Sequence, residues 1–467
     1  MNPIEHQASL SDLFLTRRQW LGRFGMGMGA VGLAALLGEE ARAAADLNPL
    51  APKNPHFPAK AKRVIHIFAQ GAPSHVDTWD PKPALARHDG KTIPGAGGVA
   101  FGSPFKFTKQ GRSGIEFSEV FPKLAQHADS MAVVRSLHTD IPAHDVATVF
   151  MNTGSLRLAK PSLGSWVLYG LGTENQDLPG FITLCPTLGH GGVNNWSSAF
   201  LPGIYQGTPI GNASTPAKNA TIRHLANTRW RSDLQRSQLD LLQKQNAEHL
   251  AERPGDAALE ARIESYELAW RMQGKAAEVL DIANESEATK KLYGIDNAVT
   301  ENFGRQCLMA RRLCEAGVRF VQCTHSYKWD QHDRLHELHT KNAAEVDLPI
   351  AGLLQDLAAR GLLEDTLVLW GGEFGRTPTV QGSDGRDHNP HGFTMWMAGG
   401  GVKPGFSYGE TDDYGFYAAK DKVHVHDLHA TMLALLGIDH EQLTYRWAGR
   451  DFRLTDVHGR VVRELFA

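Results

Sequence analysis

Cysteine is scarce in this sequence. Four occur in 467 residues (Cys185, Cys307, Cys314 and Cys323), and none stands in CxxC spacing. A disulfide scaffold is excluded for a chain this long, although the count allows one or two bridges. Charge of one sign is lacking as well. Forty-eight Lys and Arg face 51 Asp and Glu for a net charge of -3, so no strong field favours nucleic acid or an anionic membrane. No internal repeat or low-complexity tract stands out. The apolar, Gly/Ala-rich stretch from Met26 to Leu37 is too short to cross a bilayer of about 30 Å as a helix, and no stable membrane span is expected in the mature protein. What is present is a 42% hydrophobic content, enough for a large core as one α/β unit or as two domains. Histidine is plentiful at 22, which on its own is weak evidence for metal.

The amino terminus reads as a targeting segment. Thr16-Arg17-Arg18-Gln19-Trp20-Leu21 fits the twin-arginine pattern, and Ala41-Arg42-Ala43-Ala44-Ala45 offers small residues for cleavage. A signal peptide is therefore expected over 1–45, with a domain over 46–467. The partner this implies is the twin-arginine export machinery, which carries folded proteins to the periplasm. A retained signal anchor is the alternative.

From Val64 onward, apolar runs alternate with helical patterns. Val64–Ala69 (VIHIFA), Met131–Arg135, Phe181–Leu184, Val318–Thr324, Thr366–Trp370 and Phe393–Ala398 read as buried strands. Helices are expected before Asn152-Thr153-Gly154, after Ser162, over Phe303–Ala316, over about 24 residues ending at Arg360, and from His426 to Leu436. A short helix is expected within Phe117–His127. A charged helical hairpin, broken at Pro254-Gly255, is expected as an insertion over about 225–290. Residues 186–220 read as a long ordered loop, a length that tends to be functional. The helix-strand-helix-strand order predicts an α/β fold with a mostly parallel central sheet sandwiched by helices.

Ligands of open α/β sheets bind just outside the carboxyl ends of the strands. Three such ends each bring a carboxylate with imidazole nearby: His75 and Asp77, Asp330 and His332, and Glu373 with Asp387 and His388. His391 follows in the same loop. In an extended loop Asp330 and His332 point the same way, so both can reach one ion. Converging, these groups suit one or two divalent cations, and mixed imidazole and carboxylate ligation suits zinc, manganese or iron better than calcium. His336, His339, His424, His426 and His429 read as structural.

The residues SHVDTWDPKP (Ser74–Pro83), SLHTDIPAHD (Ser136–Asp145) followed by NTGS, PSLGSWVLYGLGTENQDLPGF (Pro161–Phe181), WDQH at Trp329, GEFGRTP at Gly372, GRDHNPHG at Gly385 and HDLHATMLALLGID (His426–Asp439) resemble the exported family called domain of unknown function 1501. That family in turn resembles the alkaline phosphatase and sulfatase superfamily. The resemblance implies a parallel-stranded α/β sandwich with a metal site at the strand ends. It implies that Asp330 and His332 are a ligand pair, that His388 is the last histidine ligand, that Glu373 stands near an Asp-His ligand pair, and that Asp77 replaces the acidic group after the first strand. His144 falls at about the nucleophile's position, without the x-P-x-R that follows a sulfatase Cys or Ser. Covalent sulfatase chemistry is therefore not expected. Water activated by a cation is the expected attacker; the expected catalytic residues are His144, as ligand or base, Glu373, and Arg376 as a bidentate contact to an anionic leaving group. Thr139 and Ser74 are alternative nucleophiles. The functional expectation is a metal-dependent hydrolase of phosphate or sulfate esters, acting on an anionic ester or glycan. The alternative is a non-catalytic carbohydrate- or protein-binding member of the same fold.

Overall fold

The computed structural model describes residues 48–467 apart from 158, 224 and 226–228. The twin-arginine motif and the expected cleavage site lie outside the described residues. The chain divides at Pro49, and the unit Leu50–Ala467 carries the fold. No helix among the described residues is long and apolar enough to cross a membrane.

The central sheet has nine strands. Its middle is β1 (Arg63–Ala69). The later strands of the sheet, and the hairpin beside it, are β2 (Met131–His138), β3 (Phe181–Leu184), β4 (Thr208–Ile210), β5 (Phe320–His325), β6 (Thr366–Gly371), β7 (Gly375–Gln381), β8 (Gly385–Asn389), β9 (Phe393–Ala398), β10 (Phe406–Tyr408) and β11 (Val423–His424). Strand order is β10-β2-β9-β6-β1-β5-β3-β4, with β11 also paired to β2. β1 runs parallel to β6 and β5, and β3 parallel to β5 and β4. The sheet is mixed because β9 lies antiparallel to β6 and β2. β9 returns from β6 through a hairpin, which needs no crossover helix.

The sheet strands read as unbroken apolar runs because both faces are covered. Successive residues point to opposite faces. Ile65, Ile67, Val321, Cys323, Val368 and Trp370 join one core. Their neighbours Val64, Phe68, Phe320, Leu367 and Leu369 join the other. The helices are α1 (His144–Thr153), α2 (Leu163–Leu171), α3 (Ser232–Ala251), α4 (Ala257–Leu280), α5 (Glu301–Glu315), α6 (Leu335–Ala359) and α7 (Val425–Leu435). α5 and α6 cover the first core through Leu308, Leu313, Val346 and Ile350. α2 and α7 cover the second through Trp166, Leu168, Leu428 and Met432.

The expected insertion is α3 and α4. Asp256 caps α4 by accepting from Leu259 N–H at 3.0 Å. α4 buries Ala261, Leu268 and Ala276, while α3 buries nothing and rides outside it. The short helix expected around Phe117–His127 is met only in its second half, where the 3-10 helix Leu124–Ser130 begins. Ile115–Ser118 is a strand whose alternate residues Ile115 and Phe117 are buried, and a 3-10 turn over Leu124–Ser130 follows. The four cysteines are buried and free.

Candidate metal centre

The segment after β6 is a hairpin, β7 and β8, rather than an irregular loop. Its register sets Arg376 directly opposite His388, so both side chains stand on one face. The hairpin tip presses on the loop that follows β5. A Cβ on Gly385 would lie 2.0 Å from the backbone carbonyl of His332, so only glycine allows this approach. The packing brings His388 to Asp330 and His332. α1 supplies the third direction, because His144 is its first residue.

Three imidazole Nε2 atoms surround one carboxylate oxygen. Asp330 Oδ1 lies 2.9 Å from Nε2 of His332, 3.2 Å from that of His144 and 3.3 Å from that of His388. His388 Nε2 is 2.9 Å from both His144 Nε2 and His332 Nε2. The opposite ring nitrogens are all claimed. Nδ1 of His388 faces the Pro142 carbonyl at 2.6 Å, and Nδ1 of His144 faces Glu373 Oε1 at 2.5 Å. Nδ1 of His332 faces Gln381 Oε1. Each of these partners accepts, so each Nδ1 carries the hydrogen and each neutral Nε2 carries a lone pair. Lone pairs do not sit 2.9 Å apart without a proton or a cation between them. A metal ligand oriented by a second hydrogen bond on its far nitrogen has this geometry. His144, Asp330 and His388 thus form a group able to hold a metal ion, and His332, Asp387 and His388 form a second that shares His388.

Electrostatics agree with the geometry. Burial alone would lower the pKa of His144, but hydrogen bonds to Asp330 and Glu373 reverse this and hold it above the ordinary 6.5. Burial would raise the Asp330 carboxyl, yet His144, His388 and Arg376 hold it far below the usual carboxylate range.

Glu373 and Arg376 have other partners than a substrate. Glu373 is 1% exposed and accepts from Gly71 N–H at 3.0 and 3.2 Å while holding His144. Arg376 is fully buried. It donates to the carbonyls of Ala72 at 3.0 Å and Gly71 at 2.5 Å, and to Asp330 Oδ1 at 2.5 Å. The expectation that Arg376 binds an anionic leaving group is corrected on this ground: its donors are spent inside the protein.

The first strand end also contributes differently than expected. Asp77 is fully buried and paired to Arg386, with Oδ2 at 2.6 Å from Nε and Oδ1 at 3.1 Å from Nη2. Ser74 donates its hydroxyl to the same carboxylate at 2.5 Å, which leaves no free nucleophile there. His75 Nε2 bonds the Gly415 carbonyl at 2.7 Å. Neither His75 nor Asp77 belongs to the two ligand groups. Asp387 is exposed, 3.9 Å from His332 Nδ1, and His391 packs against Phe416 and Tyr417. Thr139 is buried. His339 is structural and accepts from Ser74 N–H. Removing one partner of a buried ion pair costs about 3–5 kcal/mol. Asp77→Ala is therefore expected to lower stability by about that much while the folded fraction keeps its metal content. Denaturant melts with metal analysis of the same sample check this, and loss of metal without loss of stability would make Asp77 a ligand.

Sequence reasoning missed Tyr327 and His190. Tyr327 donates its hydroxyl to Asp330 Oδ2 at 3.0 Å and meets the His144 ring edge-on at 5.1 Å. His190 stacks on Tyr327. The signal available was position: Tyr327 stands between the end of β5 and Asp330, and His190 lies in the long loop.

The structure defines an α/β protein with a mixed, mostly parallel sheet between helices and a His/Asp group able to hold a metal at the strand ends. The chain belongs to the family described as Protein of unknown function (DUF1501), whose profile matches residues 61–466. Comparison with curated proteins returns no match. Among solved structures the chain is similar to the PsFucS1 sulfatase from Pseudoalteromonas sp., with 13% identity, 88% of this chain and 72% of that one covered, and a TM-score of 0.36. It is similar to a protein in the alkaline phosphatase superfamily from Vibrio parahaemolyticus (11%, 85% and 71%, 0.35). It is also similar to alkaline phosphatase from the Antarctic bacterium TAB5 (8%, 81% and 98%, 0.35). Likenesses this distant say nothing of activity.

Proposed function

We propose that the chain is an exported hydrolase of phosphate or sulfate esters that works with a divalent cation held by His144, Asp330, His332 and His388. The observation that carries the reading is the set of three lone-pair nitrogens, each fixed by a donor bond on its far side, around one carboxylate oxygen. Three imidazoles and one carboxylate fit zinc or manganese. One ion is better supported than two, because His388 is common to both groups and His332 Nδ1 is already held by Gln381.

A divalent cation in such a site polarises an ester oxygen and lowers the pKa of water towards neutrality. The chain's own residues set the conditions for that. Arg376 clamps Asp330, Glu373 fixes the tautomer of His144, and Tyr327 holds the second oxygen of Asp330. Direct attack by water is supported by the state of the candidate nucleophiles. Ser74 is bound to Asp77 and Thr139 is buried; the four cysteines, never candidates by position, are buried as well, with burial pushing the Cys185 thiol up to about 12. Export after folding is supported by the twin-arginine segment and by free buried thiols, which suit folding in a reducing compartment.

A second reading, glycan or protein binding without turnover, is favoured by a cleft of about 530 Å³ in the long loop, lined by Leu188, Trp196, Gln206, Asn212 and Asn219 among others. Metal analysis of the natively exported protein, then turnover of p-nitrophenyl phosphate and p-nitrophenyl sulfate with added zinc or manganese, separates the two. Bound metal with turnover is expected. No metal and no turnover under either ion would refute the hydrolase.

A further inference from the structure

With Arg376 buried and spent, the site needs another donor for the non-bridging oxygens of an anionic ester. We propose that His190, carried in by the 186–220 loop and held against Tyr327, is that donor. The inference rests on the ester-hydrolase reading above.

His190 is brought to the group by the segment that leaves the carboxyl end of β3, a strand that supplies none of the ligand group. Its ring lies 5.9 Å from that of His144 and stacks on Tyr327 at 4.1 Å with the planes 16° apart. Tyr327 is itself tied to Asp330 Oδ2, so the stack is registered to the ligand group. Both residues adopt left-handed backbone, His190 at φ 44° and Tyr327 at φ 28°. Such strain persists only where surrounding structure over-determines it, and it gathers at functional sites. Here the determinants are visible. Asn195 Nδ2 donates to the His190 carbonyl at 3.0 Å, and the next residue, Gly191, lies so close to Val149 of α1 that a Cβ would come within 2.4 Å of it. The loop is thus seated on the same helix that presents His144.

The remaining imidazoles are committed. His144, His332 and His388 each use one nitrogen on a fixed acceptor and turn the other to Asp330. His190 is half-exposed, and no hydrogen bond to its ring nitrogens is found among the described residues. A neutral imidazole still carries one N–H, so it can donate to a phosphoryl or sulfuryl oxygen without being protonated. Donor bonds to charged oxygens are the strong ones.

The test uses the zinc- or manganese-loaded full protein, with inorganic phosphate and inorganic sulfate as competing anions in the p-nitrophenyl ester assay and in direct calorimetry. His190→Ala is expected to weaken the anion that wild type binds by about 10- to 100-fold, with metal per chain unchanged. His190→Gln, which restores an N–H, is expected to recover part of that. Tyr327→Leu removes the stacking surface and is expected to reproduce the His190→Ala loss. Tyr327→Phe keeps the ring and loses only the hydroxyl bond to Asp330, so at equal metal per chain it is expected to weaken the anion less than Tyr327→Leu, which separates placement of His190 from that bond. An unchanged anion constant in His190→Ala, with metal content at the wild-type level, overturns the inference while the hydrolase reading stands. Loss of metal in His190→Ala overturns it too, by making His190 part of the ligand set. A wild-type protein that holds no metal and binds neither anion overturns both.

Discussion

In Asp330→Ala, bound metal is expected to fall from roughly one equivalent per chain to background, and ester turnover by more than about a hundredfold, beyond the 10- to 100-fold that an outer-shell partner costs. Asp330 Oδ1 is the atom that all three Nε2 groups approach, at 2.9 to 3.3 Å, and it is the only anionic charge at their centre. Alanine removes that charge and leaves Arg376, fully buried, without a carboxylate partner, held by backbone carbonyls and a 3.5 Å contact to His332 Nε2. A stability loss of a few kcal/mol is therefore expected alongside, on the order of what breaking a buried pair costs. Asp330→Asn keeps the shape and an oxygen for Arg376, so it separates folding from binding: stability near wild type, metal still lost. Metal retention in Asp330→Asn would move the centre elsewhere.

The same site predicts a pH dependence. In the metal-free protein His144 has a raised pKa, so its protonated form adds stability that is complete below the unfolded value of 6.5 and is lost as pH rises through the folded value. A cation needs the deprotonated ring and competes with that proton. The rise in melting temperature on adding zinc is accordingly expected to grow as pH climbs past 6.5. Paired thermal scans at fixed zinc across that range check the sign, and a shift that shrinks with pH would contradict it.

Much of this was legible in the sequence, and the reasons differ by element. VIHIFA, TLVLWG and FTMWMA sit in the interior of a sheet covered on both faces, so unbroken apolar runs marked them. The hairpin GRTPTVQ and GRDHN carries no apolar alternation, because its burial comes from polar side chains packed on the 330–333 loop; no periodicity could reveal it. Asp330, His332 and His388 were readable as ligand types at strand ends. Asp77 was equally readable and misleading, because a carboxylate's sequence position does not tell which charge it meets. Arg386, its partner, lies 309 residues away. Arg376 was read as an anion contact because guanidinium suits anions, but the Gly71 and Ala72 carbonyls that consume its donors are backbone groups, present in any sequence. The Pro142 carbonyl behind His388 was invisible for the same reason.

Glu373→Gln is expected to lower metal affinity by about 10- to 100-fold with little change in side-chain volume. Oε1 accepts from both His144 Nδ1 at 2.5 Å and Gly71 N–H at 3.0 Å, and Oε2 accepts from the same N–H at 3.2 Å. Glutamine has one accepting oxygen and one NH2. If the oxygen takes the place of Oε1 it still serves both donors, but the NH2 then stands where Oε2 was, 3.2 Å from the Gly71 N–H, and a buried donor–donor contact costs about 1–3 kcal/mol. If the oxygen takes the place of Oε2, the NH2 donates to His144 Nδ1, the ring must carry its hydrogen on Nε2, and that nitrogen can no longer ligate. Either orientation also removes the negative charge that makes the imidazole a better base. Competitive chelator titration of zinc against wild type and Glu373→Gln measures the loss, with a thermal melt to apportion the clash. Glu373 was first read as catalytic, and this variant separates that role from positioning. A general base replaced by glutamine would keep its metal and lose only turnover. With its side chain fully enclosed and no path to a substrate, Glu373 should instead lose metal affinity first, and saturating zinc should restore much of the turnover. Full metal affinity in Glu373→Gln, with turnover abolished at every zinc concentration, would return it to the role of base.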